Sequence, residues 1–387
     1  MTALYAILHL LVDGVCAYAM FGNYLGQEQG YVYVLLYNFC AFALQMPFGA
    51  ALDLLNRRRG KSLPLAAVCA GVILTLAGAL THPVVLGTGN ALFHIGGGVG
   101  TIYEDEEKGW LGRGLGVFVA PGALGLYLGM RLARGGAGPA WLWSVGALML
   151  LVCAGTVWRN LTYAKRAQTA GRENARSGTM PGPERNRGRL GTARKLSDND
   201  IWSGMQRKGK TGAVCLPAIA VLLVVILRSY IGMSVTFPWK TTAFAGALST
   251  LAIVCGKAAG GFLAARFGIP RTVLLSLTAA GVSFLFSGSM PMGILALFLF
   301  NMTMPVTLYL LIRRLPLFPG FSFGFLTFGL FLGFLPAYLE LPTWHNSSMM
   351  GCVGSVVSLV ILLAVGGICV SVGDMRYSKT AYHRMMH

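Results

Sequence analysis

The chain has 387 residues, of which 55% are hydrophobic and only 11% are charged, and its formal net charge is +18. A soluble domain carries about 25% charged residues, so this composition excludes an ordinary soluble globular protein. The positive charge is explained by Lys and Arg retained on the cytoplasmic side of a membrane, and we therefore expect a lipid bilayer environment and no nucleic-acid partner.

Apolar runs long enough to cross a bilayer as helices recur along the whole chain. In the first half we predict spans at about 1–22, 31–52, 63–80, 84–103, 110–133 and 139–158. In the second half we predict spans at about 212–236, 241–265, 270–288, 291–312, 316–338 and 347–372. The expected fold is an all-α integral membrane protein with twelve transmembrane helices in two six-helix halves.

A hydrophilic stretch, residues 159–210, separates the two halves. It holds thirteen Lys/Arg and four Asp/Glu, and a segment of this kind is expected to stay solvated and unfolded. The predicted organisation is a six-helix half at 1–158, a basic cytoplasmic connector at 159–210, a second half at 211–372 and a cytoplasmic tail at 373–387. Because positive charge resists translocation, we expect both termini in the cytoplasm and the protein in a cell membrane, as in a bacterial inner or plasma membrane.

Two loops at matching places in the halves carry a related pattern of glycine and basic residues. The loop after the second span holds Gly49, Asp53, Arg57 and Arg58, and the loop after the eighth holds Gly260, Arg266, Gly268 and Arg271, with Ala264 in place of the aspartate. This repeated pattern and the six-plus-six layout resemble the major facilitator superfamily. The resemblance implies that these eight residues form a conformational latch.

Three further segments resemble those of fosmidomycin-resistance-type exporters, which are twelve-span drug exporters. They are residues 9–13 (HLLVD), 87–94 (GTGNALFH) and 228–233 (RSYIGM). The resemblance implies proton-coupled efflux of a drug-like molecule.

Ionisable side chains inside a membrane are costly and mark functional sites by default. Asp13 lies four residues after His9 and therefore on the same helical face. We predict Asp13, His9 and His94 as proton-coupling residues. The alternative for Asp13 is a hydrogen-bonded acid that fixes the first span, and the alternative for His94 is a packing histidine with satisfied hydrogen bonds, which is the commoner fate of a lone histidine. The predicted substrate-binding residues are Asn90, His94, Arg228, Tyr230, Lys257 and Asn301.

Arg228 keeps its charge in almost any environment, so it needs a carboxylate partner or an anionic ligand. Asp13 is one conceivable partner, and an anionic substrate group is the other.

The sequence therefore predicts a monomeric secondary transporter that moves a small organic molecule by alternating access, with protons as the coupling ion. The alternative is uptake or exchange of an organic anion, with Arg228 as the anion partner. The chain lacks the motifs of serine hydrolases, zinc proteases and P-loop ATPases, so we expect no enzyme, no cofactor and no metal. A membrane-embedded enzyme or lipid-handling protein is the rival from another class.

Overall fold

The computed structural model describes residues 1–59, 63–176, 211–342 and 346–371, and the regular structure in these ranges is helical. The helices before residue 177 are α1 (Thr2–Ala19), α2 (Gly30–Asn38), α3 (Gln45–Arg59), α4 (Leu63–Leu80), α5 (Pro83–Lys108), α6 (Arg113–Val119), α7 (Gly122–Arg134) and α8 (Pro139–Arg176). The later ones are α9 (Thr211–Ser234), α10 (Ala243–Phe267), α11 (Ile269–Leu285), α12 (Met290–Asn301), α13 (Thr303–Arg314), α14 (Pro319–Tyr338) and α15 (Ser347–Ser371).

Several membrane-length segments consist of shorter helices joined end to end. A π-helical turn at Met20–Tyr24 continues α1, and another at Phe39–Ala43 connects α2 to α3. Between α6 and α7 the helix is interrupted before Pro121, which has no amide hydrogen to donate. Each of the twelve predicted spans corresponds to one helix or to one such joined set.

Ten of the described helices or joined helices are long and apolar enough to cross a membrane. The fourth and ninth predicted spans correspond to α5, with 26 residues, and to α11, with 17 residues. The α5 sequence contains Asn90, His94 and many glycines, which lower its hydropathy, and α11 is slightly short. The structure thus shows an all-helical protein with many apolar spans, and the number twelve stays a prediction.

The hydrophilic connector differs from the sequence-based expectation over its first part. Helix α8 has 38 residues and continues to Arg176, so residues 159–176 are helical and the prediction of an unfolded segment is wrong there. A bilayer needs only about 20 helical residues, so the end of α8 extends beyond the apolar part of the helix, which ends at Tyr163. Residues 177–210 and the predicted tail at 373–387 lie outside the described residues.

Two groups of buried apolar side chains form the core. The larger joins α1, α4, α5, α6 and α8 and reaches α9, α13 and α14 in the second half, where Phe323 and Leu326 belong to it. The smaller lies within the second half, around Leu277, Phe284 and Phe300. The first group therefore contributes to the interface between the halves.

Helix α14 of the second half packs along the joined helices α2 and α3 of the first half. At one end Gly49 lies directly against the backbone of Gly320, and we call this end of the bundle the Asp53 face. At the other end the rings of Tyr31 and Tyr338 stack with their centroids 4.2 Å apart. We call that end the Tyr31 face.

Candidate functional site

The site begins with the close packing of α1 against α7, which glycine makes possible. Gly125 and Gly129 of α7 lie against backbone carbonyls of α1, and Gly122 lies against the side chains of His9 and Asp13. A Cβ atom at Gly122 would collide with His9 Nε2 and Asp13 Oδ2. The absence of a side chain at position 122 therefore leaves room for both polar groups.

His9, Asp13 and His94 form one cluster, as the sequence predicts for its proton-coupling residues. Asp13 Oδ2 lies 3.2 Å from His9 Nε2, and Asp13 Oδ1 lies 3.7 Å from His94 Nε2. The two histidine Nε2 atoms are 2.9 Å apart. Asp13 is only 7% exposed, so these groups interact with little screening by water.

Backbone and amide groups fix the orientation of all three side chains. His9 Nδ1 lies 2.6 Å from the carbonyl oxygen of Phe118, and His94 Nδ1 lies 2.9 Å from the carbonyl oxygen of Asn90. The Asn90 side-chain amide donates a 3.0 Å hydrogen bond to Asp13 Oδ1. Asn90, predicted as a substrate ligand, thus holds the carboxylate in place.

The cluster also has the composition of a cation site. One ligand atom from each of His9, Asp13 and His94 falls within 4.8 Å of the others. Two imidazoles and a carboxylate are groups that bind transition metals. Within the part of the chain that the structure describes, this is the one such group compact enough to hold a metal ion.

Arg228 and Lys257 bring positive charge from the second half of the chain. Arg228 is 8% exposed, and its Nη1 atom is buried without a hydrogen-bond partner. The charge of Lys257, on α10, interacts electrostatically with those of Arg228 and Asp13. No hydrogen bond or ion pair joins Asp13 to Arg228 among the described residues, so the conceivable pairing of these two does not occur.

Two predicted ligands lie elsewhere. Tyr230 lines a groove of about 270 Å³ between α9 and α15, together with Leu227, Met350, Val353, Gly354 and Val357. It follows Arg228 by two residues and thus points roughly 200° away around the helix, which explains its separation from the cluster. Asn301 donates its amide hydrogen to the carbonyl oxygen of Leu297 in its own helix.

The first predicted latch loop contacts the opposite half through Gly49 and Asp53. Asp53 accepts hydrogen bonds from the backbone amides of Gly320 at 2.9 Å and Phe321 at 2.8 Å. Both amides belong to the first turn of α14, where unpaired N–H groups and the helix dipole attract negative charge. The side chains of Arg57 and Arg58 lie outside the described residues.

The second latch loop is arranged differently. Gly260 packs against the backbone of Met302 within its own half, Arg266 and Arg271 are exposed, and Gly268 adopts a φ of 86°. Ala264 has no carboxylate to offer across the interface. Here the halves meet instead through Gly261, which lies against the backbone of Gly112.

Sequence reasoning missed Asp105, whose carboxylate caps the start of α6. Asp105 accepts hydrogen bonds from the amides of Gly112 and Gly114 at the start of α6, at 2.5 Å and 2.6 Å. Burial raises the pKa of the Asp105 carboxyl despite these bonds. The acidic run 104–107 beside a short turn was the available signal, because carboxylates favour helix N-termini.

Glu104 in the same run holds the start of α1. It accepts hydrogen bonds from the Thr2 hydroxyl at 2.7 Å and from the Lys108 ammonium at 2.5 Å. Burial opposes ionisation of Glu104, but these bonds outweigh it and lower the pKa of the carboxyl to about 2. The run therefore has a structural role at the Asp53 face.

No protein-family model and no curated protein sequence matches this chain. Solved structures do match it. The E. coli fucose:proton symporter FucP is 13% identical with a TM-score of 0.57, and the match covers 95% of this chain and 97% of FucP. A major facilitator superfamily transporter FucP in the outward conformation is 13% identical with a TM-score of 0.51, and that match covers 94% of this chain and 99% of the other. At this identity the likeness is one of fold, and it extends over almost the entire length of both proteins: the chain has the fold of major facilitator superfamily transporters.

Proposed function

We propose that this chain is a major facilitator superfamily secondary transporter, which moves a small organic solute across a cell membrane by alternating access and couples the movement to protons. It acts as a monomer with both termini in the cytoplasm. The observation that carries the proposal is the group of His9, Asp13, His94, Lys257 and Arg228, of which His9, Asp13 and Arg228 are buried. Both halves contribute to this group, and charges inside a membrane are retained where a site needs them.

The contacts between the halves support alternating access. Asp53 and Gly320 join α3 to α14 at the Asp53 face, and at the Tyr31 face the hydroxyls of Tyr31 and Tyr338 each donate a 3.0 Å hydrogen bond to the backbone carbonyl of the other residue. The charged group lies between these two sets of contacts. Opening one face while the other stays closed would expose that group to one side of the membrane at a time.

Proton coupling is supported by the acid and the two imidazoles at the centre of the group. These groups change charge by taking up a proton, and their surroundings change when a face opens. The similar solved structure is that of a fucose:proton symporter, which agrees with proton coupling. The likeness to drug exporters in three sequence segments favours efflux in exchange for protons.

A second candidate, transport of an organic anion, is favoured by the unpartnered Nη1 atom of Arg228. Asp13 is already engaged by His9, His94 and Asn90, so Arg228 and Lys257 leave an excess of positive charge. An anionic substrate group would balance it. A proton added to the cluster increases the positive charge further, so an anion and a proton would bind together and be cotransported.

The proposal is tested with purified protein reconstituted into vesicles that contain a fluorescent pH indicator. Ligands are first found by thermal shift, since a solute that binds the folded state raises its stability. The panel consists of matched pairs of carboxylic or phosphonic acids and their neutral amides or esters. We expect proton flux that appears only with a transported solute, and a preference for the acids under the second candidate.

The direction of solute movement relative to an imposed proton flow distinguishes exchange from cotransport. Solute that accumulates on the side opposite to the imposed proton flow indicates exchange, whereas solute that moves with the protons indicates cotransport. Proton flux that no solute of the panel changes would contradict proton-coupled transport. Covalent change of a solute in detergent solution would favour the membrane-enzyme alternative.

A further inference from the structure

The two histidines of the cluster have defined tautomers. Their Nδ1 atoms face the carbonyl oxygens of Phe118 and Asn90, at 2.6 Å and 2.9 Å. A carbonyl oxygen can only accept a hydrogen bond, so each Nδ1 atom carries a hydrogen. In a neutral ring the Nε2 atom then has a lone pair and no hydrogen.

The 2.9 Å contact between the two Nε2 atoms therefore requires a proton. Two lone pairs at this distance repel each other, and so do two N–H groups. One proton converts the contact into an N–H···N hydrogen bond of ordinary length. Two nitrogens bound to one tetrahedral zinc ion would be roughly 3.3 Å apart, given zinc–nitrogen distances of about 2.0–2.1 Å. The observed spacing fits a proton better.

Asp13 is placed as the counter-ion of this proton. Its two oxygens lie 3.2 Å and 3.7 Å from the Nε2 atoms of His9 and His94. The Asn90 amide donates to Oδ1, as suits an ionised carboxylate. A proton on Asp13 instead would leave the two Nε2 lone pairs opposed to each other at 2.9 Å.

The charged and titratable groups around the pair come from several elements. On α1, Asp13 and Cys16 face it, and the Cys16 sulfur lies 3.5 Å from the Asn90 amide. Lys257 of α10 interacts electrostatically with His94, Asp13 and Arg228, and Tyr37 of α2 interacts with Asp13. The contacts from α6 and α7 are made by Phe118 and Gly122, which carry no charge.

We infer that the coupling proton is held jointly by His9 and His94, between their Nε2 atoms, while Asp13 stays ionised. The inference rests on the proposed function and assigns the proton within it. Loss of the proton leaves the Asp13 charge unbalanced on α1. Its remaining cationic neighbour is Lys257 on α10, so deprotonation strengthens an attraction between the two halves.

Infrared difference spectra of the protein in lipid vesicles, recorded between acidic and alkaline pH, test the assignment without a known substrate. The wild-type protein is compared with forms that carry isotopically labelled histidine or labelled aspartate. We expect pH-dependent imidazole bands that shift with histidine labelling and are lost in His94→Gln and in His9→Gln. His82→Gln, which alters an exposed histidine outside the cluster, is the matched control and should retain them.

The behaviour of Asp13 distinguishes the alternatives. We expect no protonated carboxyl band that shifts with aspartate labelling and is absent from Asp13→Asn. In Asp13→Asn the pH dependence of the imidazole bands should change, because the counter-ion of the shared proton is lost.

A protonated carboxyl band that Asp13→Asn removes would overturn the inference and leave proton coupling at the cluster intact. If no histidine-labelled band is lost in His9→Gln or His94→Gln, and no aspartate-labelled carboxyl band is lost in Asp13→Asn, the inference and the coupling step of the proposed function both fail. A variant counts in this comparison only if its helicity matches that of the wild-type protein.

Discussion

Asp53 and Gly320 belong to different halves of the chain, and the Asp53 carboxylate accepts a 2.9 Å hydrogen bond from the Gly320 amide. The second carboxylate oxygen accepts a 2.8 Å hydrogen bond from Phe321. Because α14 begins at Pro319, the negative charge lies at the positive end of its helix dipole. At the Asp53 face, a carboxylate of one half thus lies on the N-terminal end of a helix of the other half.

Replacing Asp53 by Asn should loosen this face. The substitution keeps the shape but removes the charge, and hydrogen bonds to charged groups contribute about 1.5–3 kcal/mol each. We expect a cysteine introduced at Phe321 to react faster with a water-soluble maleimide in Asp53→Asn than in the parent. Glu340→Gln, at an exposed acid outside this contact, is the control. Equal labelling rates in all three proteins would show that Asp53 does not close the face.

Gly122→Ala should disrupt the cluster and leave the fold intact. The added Cβ would collide with His9 Nε2 and Asp13 Oδ2, and overpacking of this kind costs about 1–3 kcal/mol. We expect loss of proton-driven transport with retained helicity and a modest drop in the melting temperature. The matched control is Gly155→Ala, since a Cβ at Gly155 meets no atom within 4 Å. Wild-type proton coupling in Gly122→Ala would contradict the placement of the cluster.

Arg228→Met should have opposite effects on stability and on anion transport. Arg228 is 8% exposed with an unpartnered Nη1 atom, and removal of an unpaired buried charge relieves a desolvation cost. We expect a higher melting temperature without ligand. We also expect the transport rate of acids to fall at least tenfold, with little change in the transport rate of their neutral analogues. Arg131→Met, at an exposed position, should alter neither. Equal losses for acids and neutral analogues would argue against an anion site.

Glu104 makes the stability of the protein depend on acid pH. Its pKa is lowered from 4.5 to about 2, so the folded state favours the ionised form. The stabilisation is fully present above pH 4.5 and is lost as the pH falls towards 2. Glu104→Gln should therefore lower the melting temperature at neutral pH and flatten its decline across this window. Glu107→Gln, at an exposed acid of the same run, is the control; identical pH profiles for wild type and Glu104→Gln would exclude the effect.

Much of the fold could be predicted from the sequence, because a bilayer permits few solutions for an apolar chain. The predicted span 63–80 coincides with Leu63–Leu80, and most of the others differ by up to five residues at their ends. The predicted spans 31–52 and 139–158 stop 7 and 18 residues before their helices end, at Arg59 and Arg176. The prediction of an unfolded connector was wrong for residues 159–176, where the high charge was interpreted as a sign of disorder. Helix α8 continues through Arg166 to Arg176, since Ala, Arg and Lys are good helix formers.

The site was predictable in part, for reasons of helix geometry. His9 and Asp13 share a helical face at a spacing of four, and the cluster joins them to His94. The same geometry places Tyr230 on a different face of α9 from Arg228, because Tyr230 follows Arg228 by two residues. The partners of the cluster lie far away in the sequence: the carbonyl of Phe118 is 109 residues from His9. Spacing along one helix contains no information about such contacts.

The second latch loop has Ala264 where the first has Asp53. At the Asp53 face, the contact between α3 and α14 therefore differs chemically from the contact between α6 and α10. Between α3 and α14 the contact depends on a negative charge, so salt, acid or a nearby anionic headgroup will weaken it. The contact between α6 and α10 depends on the close approach of the backbones of Gly112 and Gly261. Salt does not affect such a contact, whereas a single added methyl group would disrupt it. We therefore expect the Asp53 face to open between α3 and α14, with the close glycine contact between α6 and α10 as the hinge.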